Sequence, residues 1–264
     1  MSQQEKQAKR DTTPGGPFWV ALSMYSILPA PRAEWTKGNM RAAICFLPVA
    51  GVLVGGVLAL WQWFCLAHGI EPVIFAASAT VIPLILTGGI HMDGFMDTAD
   101  AIGSHRPREE KLEIMKDSQA GASAVLWCGA YLLLSFAVYW SLYEKAALWV
   151  IGIAFIMSRA LCSLSALTQP SARDGGLLHA FTEHVKNRAA TVAMYILFFS
   201  CALGIGILDL RIGICCAAAA VAVTFIYGRI TLKLFGGVTG DTSGFFIQIC
   251  ELGLLFGALI GVSL

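Results

Sequence analysis

Three aspartates in one short stretch, Asp93, Asp97 and Asp100, are spaced i, i+4 and i+7. At about 100° per residue, that spacing keeps their carboxylates within a narrow arc of one helix face. No Lys or Arg lies among them, so the charges repel one another unless a cation joins them. Glu113 and Asp117, again i and i+4, repeat the arrangement further along. Carboxylate oxygens suit hard divalent cations, and Mg²⁺ takes one or two of them while water and phosphate oxygens fill the rest of its shell. The pattern therefore predicts Mg²⁺-assisted phosphoryl-group chemistry, with Asp93, Asp97, Asp100, Glu113 and Asp117 as metal ligands and Asp117 also as a catalytic group. Solvation of a loop is the simpler reading, and it suffices for Glu109 and Glu110 beside Arg106, Arg108, Lys111 and Lys116.

Other polar residues surround this cluster. His91 precedes it and is a candidate catalytic base or hydrogen-bond donor. Lys116 is a candidate phosphate contact. Arg159, inside an apolar run, needs an acid or a phosphate, and Arg173 opens a second polar loop. Between the last two apolar runs lies Gly236 to Gly244, where Thr239, Gly240 and Asp241 could cradle a phosphate or complete a metal shell. An ordinary interhelical turn with Asp241 as the helix cap remains the alternative there. Glu251 stands in an otherwise apolar helix and needs a partner such as Arg229 or Lys233.

The elements that position these groups follow from composition. Of 264 residues, 57% are hydrophobic and 13% charged, and the mean hydropathy is +0.70. That exceeds what a soluble core of this size buries, so the excess apolar surface needs a lipid bilayer. A net charge of +1 gives no basic field for nucleic acid. The 8 cysteines lie inside apolar runs without a C-x-x-C pair and read as small buried hydrophobes.

A helix needs roughly 20 apolar residues to cross a bilayer. Segments of that kind run approximately from Ala42 to Ala67, Pro72 to Ile90, Ala120 to Trp140, Ala146 to Leu167, Ala190 to Leu208, Ile212 to Leu232 and Phe245 to Leu264. The expected fold is all-α: one integral membrane domain over 1–264, a polytopic bundle of about seven spans over 42–264. A short interfacial or re-entrant helix within Phe18 to Leu28 precedes it. A signal peptide is the alternative for the N-terminus, but Arg32 and Glu34 follow at once without a small-residue cleavage pattern.

Lys and Arg concentrate in alternate connections: Lys6, Lys9, Arg10, Arg32, Lys37 and Arg41, then Arg106 to Lys116, then Arg173, Lys186 and Arg188, then Lys233. Positive charge is retained in the cytoplasm, which places the N-terminus and loops 91–119, 168–189 and 233–244 inside and the C-terminus outside. No internal repeat of the kind found in inverted-repeat transporters is evident.

Longer motifs then fall into place. GGIHMDGFMDTADAIGS, followed by KLEIMKDSQAG, resembles the signature of the cobalamin synthase (adenosylcobinamide-GDP ribazoletransferase) family, GG-x-H-x-D-G-x-x-D-T-x-D and then LEIM-K/R-DS-x-x-G. YSILPAP, FLPVAGVLVG, ARDGGL and GGVTGDTSGF are similar, in order, to further family elements, so the resemblance spans nearly the whole chain. The arginine of the first of these elements is replaced near Ser26 and Ile27, and Phe245 stands where the family has alanine.

The resemblance implies joining of α-ribazole, or its 5'-phosphate, to adenosylcobinamide-GDP with release of GMP and a need for Mg²⁺. It implies Asp93, Asp97, Asp100 and Asp117 around the metal and pyrophosphate, and Arg173 with Thr239, Gly240 and Asp241 against phosphate or guanine. An acid or His91 would serve as base. A multi-pass protein of the bacterial inner membrane is expected, with self-association or association with other late cobalamin-assembly enzymes left open. A CDP-alcohol phosphotransferase-like enzyme is the closest alternative, though Asp97 and Thr98 stand where its motif needs Ala and Arg. A cation-coupled transporter would need charges spread through the bilayer depth, whereas these cluster at one face.

Overall fold

The computed structural model describes residues 15–145, 148–173 and 188–264, the side chains of Lys37, Arg41 and Leu148 aside. The N-terminal cations Lys6, Lys9 and Arg10, and most of the predicted loop 168–189, lie outside the described residues. The described residues form helices and no strand: α1 Gly16–Tyr25, α2 Lys37–Ala43, α3 Leu47–Ala67, α4 Pro72–Leu86, α5 Ile90–Gly103, α6 Arg108–Ile114, α7 Ala122–Leu142, α8 Leu148–Thr168, α9 Arg188–Leu208, α10 Leu210–Leu234 and α11 Gly240–Ser263.

Six helical stretches are long and apolar enough to cross a membrane, and the bent pair α4–α5 makes a seventh if it counts as one span. The protein is membrane-integral. Helix α8 is the centre of the bundle: 89% of its most apolar stretch is buried, against 28, 22 and 28% for α7, α9 and α10, whose outer faces are left for lipid. Helices α3 and α8 approach closely through Gly55 and Gly152, where a side chain on either would meet the other's backbone.

The second span differs from the unbroken Pro72-to-Ile90 segment that hydropathy suggests. Pro83 removes one backbone donor near the end of α4, and Gly88 and Gly89 follow with φ of 62° and 77°, a left-handed conformation that glycine adopts without strain. Their N–H groups donate back to Ile85 O and Leu84 O, closing the helix. The chain turns by 93° and restarts as α5. The acids therefore ride on a separate half-helix rather than on a tail behind a completed span.

Helix α1, with 10 residues, spans about 15 Å and is too short to cross, in keeping with the short N-terminal helix the sequence suggests. Its end is tied to the break in the second span, because Ile27 N donates to Leu86 O at 2.9 Å. Helix α2 is capped by Thr36, whose hydroxyl accepts from Asn39 N, and runs through one short turn into α3.

Candidate active site

Helices α5 and α11 cross tightly where the chemistry-bearing residues sit. A Cβ placed on Gly94 would lie 2.7 Å from Asp241 O, and one on Gly244 would lie 2.9 Å from His91 O. Only glycine at both positions permits this approach, which sets Asp93 of α5 beside the first turn of α11. Phe95 and Phe245 stack at 5.3 Å just below the crossing. Helix α11 opens on a capping box: Thr239 Oγ1 accepts from Thr242 N, and the Thr242 hydroxyl accepts from Thr239 N. Thr239 is thus the cap, and Asp241 stands one residue inside the helix rather than capping it.

A cavity of about 240 Å³ opens at this crossing, lined by His91, Asp93, Arg173, Gly240, Asp241 and Ser243, with Met24, Tyr25, Ile44, Leu47, Cys162 and Ile247 among its apolar walls. Asp97, one turn beyond Asp93, is within electrostatic reach of Asp93, Asp241 and Asp100. Arg173 Nη1 lies 3.8 Å from Asp241 Oδ2, and its Nη2 donates to Leu112 O at 2.7 Å. His91 is 4% exposed, its Nε2 is buried without a hydrogen-bond partner, and its ring lies against Tyr25 at 6.1 Å.

The structure thus brings His91, Asp93, Arg173, Gly240 and Asp241 into one cavity, with Asp97 beside it. It uses the remaining candidates otherwise. Both carboxylate oxygens of Asp100 accept from the start of α7, one from Gly121 N and the other from Ala124 N at 2.8 Å. Glu113 pairs with Lys116 at 2.6 Å on the surface, and the Lys116 ammonium holds its carboxyl below the usual carboxylate range. Asp117 is exposed and accepts from Gln119 N at 3.0 Å. Arg159 is 1% exposed and forms an ion pair with Glu251, itself 2% exposed, so the partner of Glu251 is Arg159 and not Arg229 or Lys233. Glu110 pairs with Arg106 at 3.7 Å, as the loop-solvation reading expects.

Ser243, a hydroxyl of the Gly236 to Gly244 stretch, also lines the cavity, as do Tyr25 and Cys162, which were not singled out by residue type. Tyr25 belongs to YSILPAP, whose similarity to a family element was its one signal. A further connection had no sequence signal: Ala172 N donates to Val238 O and Val238 N to Pro170 O, both at 2.9 Å. This two-bond clasp joins the loop bearing Arg173 to the one that precedes α11, and Arg108 Nη2 adds a bond to Ala172 O at 3.3 Å.

A family model described as cobalamin-5-phosphate synthase matches residues 17–259, which include every element that builds the cavity. The chain belongs to this family. Among relatives of the cobalamin-5-phosphate synthase, the chain is 37% identical over 237 residues to a protein of Lachnoclostridium phytofermentans named adenosylcobinamide-GDP ribazoletransferase, covering 89% of this chain and 90% of that one. Proteins of the same name from Pseudomonas entomophila and Acinetobacter baumannii are each 34% identical, over 93% and 91% of this chain and 99% and 95% of theirs. No solved structure matches the chain. Cobalamin-5-phosphate synthases are thus matched from α1 through most of α11, with no part of the cavity outside the similarity.

Proposed function

We propose that this protein is an adenosylcobinamide-GDP ribazoletransferase that joins α-ribazole, or its 5'-phosphate, to adenosylcobinamide-GDP and releases GMP. The observation that carries this reading is the family match over residues 17–259 combined with the Asp93, Asp241, Arg173 and His91 cavity inside it. We further read the active-site end as cytoplasmic, at the bacterial inner membrane, from the distribution of Lys and Arg.

The donor set fits a divalent cation such as Mg²⁺. Asp93 and Asp241 line one cavity and Asp97 stands within electrostatic reach of both. Among the described residues no three His, Cys, Asp or Glu side chains are arranged to hold an ion alone. A cation held by two carboxylates would complete its shell with water and substrate phosphate oxygens. Asp93 and Asp241 would hold it, and when bound it supplies charge neutralisation for the pyrophosphate.

The residues of the chain supply the rest. Arg173, fixed through Leu112 O, turns its remaining donors toward the pyrophosphate beside Asp241. In the reaction a ribose hydroxyl oxygen bonds to the phosphorus adjacent to cobinamide. The bridging P–O bond breaks, and its electron pair leaves with GMP. The hydroxyl proton passes to a base that lines the cavity, His91 or one of the carboxylates of Asp93 and Asp241. The apolar walls from Met24, Ile44 and Leu47 limit water, so charge interactions inside are stronger than at an open surface.

The test is a turnover assay on purified protein in liposomes, supplying both substrates with and without Mg²⁺ and following GMP. Metal-dependent GMP release with a cobalamin product, lost in Asp93→Asn, supports the reading. Folded protein that forms no product refutes it.

A further inference from the structure

Asp93 lies between two concavities. One is the cavity described above, which holds Asp241 and Arg173. The other, on the opposite side of the start of α5, is an open groove of about 580 Å³ lined by Leu84, the Gly88–Gly89 turn, Ile90, Met92 and Met96, with Asp93 at its edge. Ile90 and Asp93 are common to both. We propose that this groove is the subsite for the aromatic base of the ribazole nucleoside, an inference that rests on the transferase reading.

Three observations carry it. First, the groove runs along the break between α4 and α5, and backbone that leaves a helix near membrane depth is tolerated only against protein or a water-accessible cavity. With Asp93 exposed at its edge, the groove faces water or ligand rather than hydrocarbon. Second, apart from Asp93 its lining side chains carry no hydrogen-bonding group. A ring with several polar edge groups finds no side-chain partner there other than Asp93, whereas a mainly apolar ring needs few partners. Met92 and Met96, one turn apart, supply polarisable sulfur surface of the kind that suits aromatic rings. At Gly89 an added Cβ would meet no atom within 4 Å, so this part of the wall is bare backbone against which a flat ring can lie.

Third, the reaction needs two molecules to meet at one phosphorus. A pyrophosphate held by Arg173 and Asp241 occupies the cavity, so the nucleoside must arrive from another side of the same carboxylate. The groove is that side. Its volume lies within the range of sites that hold a ligand of nucleoside size, about 300 to 1,000 Å³.

The test is titration of α-ribazole into the full-length detergent-solubilised protein, with steady-state kinetics in both substrates, for wild type, Leu84→Trp and Met96→Trp. Met96→Gln, which keeps volume and adds an amide, serves if a tryptophan variant fails to fold. Expected is about tenfold or greater weakening of α-ribazole binding and a matching rise in its KM, with the KM for adenosylcobinamide-GDP changed by less than about twofold. A rise confined to the adenosylcobinamide-GDP KM would assign the groove to the corrinoid and overturn the proposal. Unchanged affinity for both substrates would leave it a lipid-filled surface and overturn it equally. Because binding is read without turnover, groove-dependent ribazole binding in a protein that releases no GMP removes the transferase reading alone. Turnover with groove-independent ribazole binding removes this inference alone.

Discussion

Arg173 reaches Asp241 at 3.8 Å with one guanidinium nitrogen while the other donates to the Leu112 carbonyl at 2.7 Å. The short bond to a backbone oxygen fixes the side chain; the longer contact to the carboxylate is loose. The buried Nε has no partner. Such an arginine is held in place yet keeps donors for an incoming anion, which a lysine with one point charge cannot do at the same time.

Arg173→Lys is therefore expected to raise the KM for adenosylcobinamide-GDP by about 10- to 100-fold, the equivalent of a lost charge-assisted hydrogen bond of about 1.5–3 kcal/mol. The KM for α-ribazole should stay near wild type. Steady-state kinetics in each substrate check this; a rise shared equally by both would show that Arg173 supports the fold of the site instead.

The α5–α11 crossing gives a second test. Gly94→Ala would place a methyl 2.7 Å from Asp241 O and 2.9 Å from Asp241 Cα, both backbone atoms that cannot swing aside. The helices must separate by a few tenths of an ångström or more, taking Asp93 away from Asp241. Misplacement of reacting groups by about 1 Å costs on the order of 100-fold in rate. We expect kcat to fall by about 10- to 100-fold in Gly94→Ala, whereas Gly56→Ala, at a position where an added Cβ meets nothing, should turn over normally. Equal activity of the two variants would show that the close approach does not set the catalytic geometry.

The helical architecture was legible because bilayer length and hydropathy leave few alternatives, and the acidic stretch was legible from its spacing. Sequence periodicity could not show the 93° break after Pro83, since apolarity runs on unbroken to Ile90. Nor could it separate the roles of three similar aspartates. Asp93 faces the cavity and Asp100 faces the start of α7, although both lie on one arc of α5, because a different helix abuts each end of that arc. Glu251 was legible as a group that needs a partner. Its partner lies on α8, 92 positions away in sequence, and helices so separated meet only in the folded bundle.

The division between Asp93 and Asp100 predicts two phenotypes. Removing the carboxylate in Asp100→Ala strips two backbone donors at the start of α7 of their acceptor, at a cost typical of a lost helix cap, about 0.5–2 kcal/mol. Its thermal midpoint in detergent should fall. Asp93→Asn has no such bond to lose and should melt near wild type, but Mg²⁺ should no longer protect it. A ligand at 100 times its Kd stabilises the folded state by about 2.7 kcal/mol, so wild type should melt higher in saturating Mg²⁺ than in EDTA. Melting curves of the three proteins with and without Mg²⁺ decide the point. A Mg²⁺-dependent rise in Asp93→Asn equal to that of wild type would remove Asp93 from the metal site.

The ion pair of Arg159 and Glu251 joins α8 to α11 in the interior, where each side chain is at most 2% exposed. Arg159 also donates to Ser158 Oγ at 3.0 Å and to Phe155 O at 3.3 Å, and its guanidinium lies 5.0 Å from the Phe155 ring. Neither residue lines the cavity, so the pair is expected to act on stability and helix packing before it acts on substrate affinity. Taking one partner away leaves a buried charge uncompensated, which costs about 3–5 kcal/mol. Replacing both by apolar residues of similar volume removes the two desolvation penalties together and is near neutral. Arg159→Met and Glu251→Leu should each lower the thermal midpoint and the yield of folded protein sharply, and the double variant should recover most of both. Its KM for adenosylcobinamide-GDP should then lie close to wild type. A double variant that folds normally yet loses affinity for that substrate would show that Arg159 reaches the substrate during turnover, and that the pair with Glu251 is only its resting position.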